Sequence, residues 1–85
     1  MGYGKEMNAI ELLLIGLGVP YESYVHGDIF FVFNPKTGER AGTICDARDH
    51  FEWTNATDDQ TYEMTCQDVI NSLLRWHKTI QESNT

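Results

Sequence analysis

Positive charge and long apolar stretches are what this 85-residue chain has least of. Six Lys and Arg stand against 13 Asp and Glu, a net charge of −7. Phosphate backbones are held by cations that displace counterions, so direct nucleic-acid binding is not expected of so acidic a chain. The longest apolar run, Leu12 to Ile15 continued through Leu17 and Val19, is far short of the ~20 residues that cross a bilayer, and no membrane span is expected. Met1 to Lys5 leads into that run without a small-residue cleavage site, so no export signal is read and a cytoplasmic chain is expected. There are two cysteines, Cys45 and Cys66; a reducing setting favours free thiols, although spacing alone leaves pairing open. Without export the Asn55-Ala56-Thr57 sequon carries no weight. No G-x-S-x-G, H-E-x-x-H or glycine-rich phosphate loop occurs, so neither an enzyme nor a cofactor is expected.

What is present is clearest from Asp28 to Asp46. Ile29, Phe31 and Phe33 alternate with Phe30 and Val32, so a strand here is apolar on both faces, as in a sheet covered on each side. Asn34-Pro35-Lys36-Thr37-Gly38 then reverses the chain: Pro35 sets φ for a type I turn and Gly38 supplies the positive φ that closes the hairpin. The return strand, Glu39 to Cys45, puts Ala41, Thr43 and Cys45 on one face and Arg40, Gly42 and Ile44 on the other. Gly42 inside a strand marks a bulge or a close packing contact.

A helix is expected over Ala9–Leu17, with Asn8 and Glu11 as its capping pair, residues 1 to 6 as a loose leader and Gly18 as its stop. Ile10, Leu13, Leu14 and Leu17 form its stripe; Leu12 and Ile15 lie off it and are candidates for self-association, a homodimer among the outcomes. Tyr21 to Val25 reads as a strand, His50 to Thr54 as another, and Tyr62 to Met64 alternates weakly. Thr65 with Asp68 opens a second helix with Cys66, Val69, Ile70, Leu73, His77 and Ile80 on one stripe, Arg75 and Lys78 late in it, and a frayed tail over 81–85. The expected fold is a single α+β domain spanning 1–85, of order α-β-β-β-(β)-α, with an antiparallel meander packed by two helices.

Helix, three-strand meander, helix resembles the element order of the double-stranded RNA-binding domain, which would imply a direct nucleic-acid binder. That family meets phosphates with lysines at the start of its last helix, where this chain has Thr65-Cys66-Gln67-Asp68. The departure favours another partner. Between Asp46 and Asp68 lie seven acids and one base, six of the seven net negative charges. Asp46, Asp49, Glu52, Asp58, Asp59 and Glu63 are therefore the candidate contacts for a basic protein surface, in an inhibitor or adaptor that can mimic nucleic acid. Asp46, Asp49, Asp58 and Asp59 are oxygen donors of the kind calcium takes, but without the EF-hand glycine and glutamate. Cys45, His50 and Cys66 with His26 or His77 lack the paired spacing of zinc sites. Cys45, His50 and Asp49 make a nucleophile, base and orienter set only on paper, the alternative being a small metal- or thiol-dependent enzyme.

Overall fold

A computed structural model describes residues 2 to 82, with side chains from Lys5 onward. The order is α1 (Gly2–Leu17), β1 (Tyr21–Tyr24), β2 (Ile29–Phe33), β3 (Arg40–Asp46), β4 (Phe51–Asn55), β5 (Thr61–Met64) and α2 (Cys66–Glu82). The strands form one antiparallel meander in which each pairs with the next, giving spatial order β1-β2-β3-β4-β5. The α+β architecture is as expected, with the weak Tyr62–Met64 alternation realised as a fifth strand. No helix among the described residues is long and apolar enough to cross a membrane.

The β2–β3 hairpin follows its turn chemistry. Asn34 Oδ1 accepts the backbone N–H groups of Lys36 at 2.7 Å and Thr37 at 3.3 Å, and Gly38 sits at φ 79°. Val32 pairs with Gly42 but Phe33 pairs with Arg40, so Ala41 is the extra residue of a bulge. By contrast, the β1–β2 connection is poorly suited to its residues: Val25 and His26 take φ of 54° and 56° ahead of Gly27 at 88°.

Both helices pack on one face of the sheet. Met7, Ile10 and Leu14 of α1 and Val69 and Leu73 of α2 share a buried core with Phe30, Val32, Ile44 and Phe51. The expectation of a sheet covered on each side is thus corrected. Ile29, Phe31 and Phe33 point to the opposite face and are only half-buried, because two helices supply a single layer and these side chains shield one another instead. Tyr24 packs against Phe31 in a tilted arrangement with ring centroids 4.8 Å apart, and the Arg40 guanidinium lies 5.2 Å over the same ring.

Helix α1 begins before the expected Asn8 cap: Gly2 to Glu6 are helical and Met7 is buried, so they are not a loose leader. Asn8 is an exposed interior residue, and Leu12 and Ile15 are 69% and 58% exposed, one turn apart. Tyr21 donates from its hydroxyl to Glu11 at 2.6 Å, tying β1 to α1. The α2 cap is reciprocal, with Asp68 N–H on Thr65 Oγ1 at 3.1 Å and Thr65 N–H on Asp68 Oδ2 at 3.4 Å. This helix runs on to Glu82, so Arg75 and Lys78 fall short of its last turn; of the tail expected to fray, Gln81 and Glu82 are helical and 83–85 lie outside the described residues.

Candidate functional site

The six acids singled out in the sequence separate into three places. Asp46, the last residue of β3, follows Gly42 and Ile44 onto the helix-covered face and is 7% exposed. Its Oδ1 accepts the Arg48 backbone N–H at 2.8 Å, while Oδ2 has no hydrogen-bond partner. A surface contact is excluded for it by burial; its role is to organise the β3–β4 turn, where Arg48 takes φ 83°. Asp58 and Asp59 lie in the β4–β5 turn, where Asp58 Oδ1 accepts the Gln60 N–H at 3.0 Å and Asp59 takes φ 58°. They stand at the far end of β4 from Asp49, roughly 16 Å away at ~3.3 Å per residue.

Asp49, Glu52 and Glu63 come together. Glu52 and Glu63 are direct cross-strand partners, a like-charged pair that repels. His50 offsets them: its Nδ1 is 2.7 Å from Asp49 and its Nε2 3.0 Å from Glu52. Beside this group is a recess of about 390 Å³ at the β3–β4 end of the sheet. Glu6 from α1, Asp49 from the turn, Glu63 from β5 and Asp68 from α2 all line it, with Arg48 the one residue of permanent positive charge there. Four acids from four elements therefore face one concavity. Glu6 joins them because α1 extends through the segment expected to be a loose leader.

The Glu52 and Asp49 hydrogen bonds raise the pKa of His50 above its ordinary 6.5. A proton held more tightly in the fold than in the unfolded chain stabilises the fold in full below that ordinary value, and the contribution disappears as pH rises through the folded pKa. A proton NMR titration of the His50 ring should give a midpoint above 6.5, and Glu52→Gln should move it down. An unchanged midpoint in that variant would show that the Glu52 contact does not form in solution.

The thiols are arranged for packing. Cys45 is on the open face between Ile29 and Glu52, Cys66 opens α2, and both are free. Burial pushes both pKa values up, and nearby carboxylates, Glu52 for Cys45 and Glu6 for Cys66, add to it. That is the reverse of what activates a thiolate. No three His, Cys, Asp or Glu among the described residues converge to hold a metal ion. Comparison with protein-family models, curated proteins and solved structures finds no match to the chain.

Proposed function

We propose that this chain is a non-catalytic interaction module that binds a basic protein surface through the acidic recess at the β3–β4 end of its sheet. The observation that carries this reading is the convergence of Glu6, Asp49, Glu63 and Asp68 on one concavity, next to the Glu52–Glu63 pair. Gathered like charges are costly to the isolated fold, and a partner's Lys and Arg side chains relieve them. A groove that otherwise holds nucleic acid is one such partner: the carboxylates would stand where phosphates sit, and the chain would act as its inhibitor.

The test starts with affinity capture from source cells and continues as a titration of the captured protein. Asp49→Lys with Glu63→Lys should weaken binding by about tenfold or more, with the wild-type affinity falling as salt rises. Asp58→Lys with Asp59→Lys, at the remote turn, should weaken it much less. Equal affinity of the wild type and the Asp49/Glu63 variant, both folded, would remove the recess from the interface.

A further inference from the structure

Both tryptophans of the chain, Trp53 and Trp76, line a second cavity, of about 190 Å³, between α2 and the β4–β5 side of the sheet. Met64, Val69 and Leu73 complete its apolar wall, and Asn55 and Ser72 are the polar residues that line it. No charged side chain lines it. Trp53 is fixed in two independent ways. Its Nε1–H donates to Asn55 Oδ1 at 2.7 Å, and its ring lies so close over Gly42 that any Cβ there would meet it. Trp53 is thus held in place without a ligand, as side chains of preformed small-molecule sites are.

Size and chemistry define what fits. An enclosed apolar cavity of about 150 Å³ takes up benzene, so a pocket of about 190 Å³ has room for an aromatic ring. Burying a charge against this wall is unfavourable, so the occupant is neutral. The polar groups add a direction. An indole N–H only donates, so the Asn55 oxygen must face Trp53 and its NH₂ remains to donate elsewhere. The Ser72 hydroxyl accepts from Arg75 at 3.3 Å, which leaves its proton to donate as well. An adjoining recess of about 300 Å³ shares Trp53, Asn55 and Trp76 with it and is lined also by Thr37, Glu39 and Arg40.

We infer that this cavity is a binding site for a small, uncharged, planar aromatic molecule that carries a hydrogen-bond acceptor, with its ring against the two indoles and its acceptor toward Asn55 and Ser72. The site shares Met64 with the acidic recess but none of its charged residues, and the inference does not rest on that recess.

Because the chain has just two indole N–H groups, the full-length ¹⁵N-labelled protein reports directly on the site. Quinoline, with a ring nitrogen as acceptor, and naphthalene, the same shape without one, are the probes, at neutral pH. Quinoline should shift both indole resonances saturably and bind about tenfold more tightly than naphthalene, the worth of the lost hydrogen bonding. Ser72→Leu, which fills the mouth, should abolish the saturable shifts. Ser72→Ala, which keeps the space, should retain naphthalene binding and narrow the preference for quinoline. The inference is overturned by the absence of saturable shifts in the folded wild type, by equal affinity for the two compounds, or by a titration that Ser72→Leu leaves unchanged. If Ser72→Leu does not fold, the Ser72→Ala comparison decides: an undiminished preference overturns the assignment of Ser72 as donor.

Discussion

Gly42→Ala should destabilise the domain by about 3 kcal/mol, at the upper end of what overpacking usually costs. Replacing glycine by alanine within a strand ordinarily helps, by about 0.4–1 kcal/mol, because the unfolded chain loses freedom. Here the sign is reversed. A Cβ at position 42 would fall 2.5 Å from Trp53 Cη2 and 2.7 Å from the Thr54 carbonyl oxygen. The indole can swing aside only by giving up its bond to Asn55 Oδ1, and the carbonyl belongs to the neighbouring strand, which cannot move without opening the sheet. Urea unfolding followed by tryptophan fluorescence checks both effects, since lower stability should come with a changed native spectrum. A Gly42→Ala variant at least as stable as the wild type would mean that Trp53 does not lie over Gly42.

Phe30→Ala and Phe31→Ala should differ widely although they are neighbours. Phe30 is 2% exposed among Val32, Ile44 and the α1 stripe, and its ring centroid is 5.4 Å from that of Tyr21. Truncating a phenylalanine so placed costs about 3–5 kcal/mol, a large share of the roughly 5–10 kcal/mol that holds a domain of this size. Phe31 faces the other way and loses chiefly its contacts with Tyr24 and Arg40, worth about 1–2 kcal/mol together. Thermal unfolding should find the midpoint of Phe30→Ala lowered by roughly 12–40 °C, at about 4–8 °C per kcal/mol, and that of Phe31→Ala lowered far less. Comparable losses would require something to cover the outer face that the present fold does not place there.

The parts of this fold legible in the sequence were those where local chemistry and periodicity agree. The Asn34-Pro35…Gly38 turn, the Thr65–Asp68 cap and the close contact at Gly42 each rest on a residue whose stereochemistry admits few alternatives. Strand β5 was faint because three of its four residues are exposed, which leaves little hydrophobic alternation to see. The start of α1 was missed because Gly2 and Gly4 suggest a loose segment, yet Met7 continues the Ile10–Leu14 stripe backward by one turn.

For the candidate site, the charge count located the acidic region without resolving its geometry. Strand parity carries Asp46 to the face of Gly42 and Ile44, a signal outweighed by grouping it with the other acids. The separation of Asp58 and Asp59 from Asp49 depends on which end of β4 each turn occupies, and it needed the strand limits to be known. Glu6 and Asp68 join the recess only through the packing of the helices, which no local pattern encodes.

The left-handed turn at Val25 and His26 bears on the order in which the molecule assembles. A β-branched residue in that region costs roughly 1–2 kcal/mol, so the first hairpin is expected to gain little from local sequence and to form after β2 is in place. The second hairpin, pre-shaped by Asn34 and Gly38, is expected to close earlier. Val25→Asn should therefore slow unfolding and leave the refolding rate almost unchanged in stopped-flow chevrons; faster refolding would instead put β1 in the nucleus.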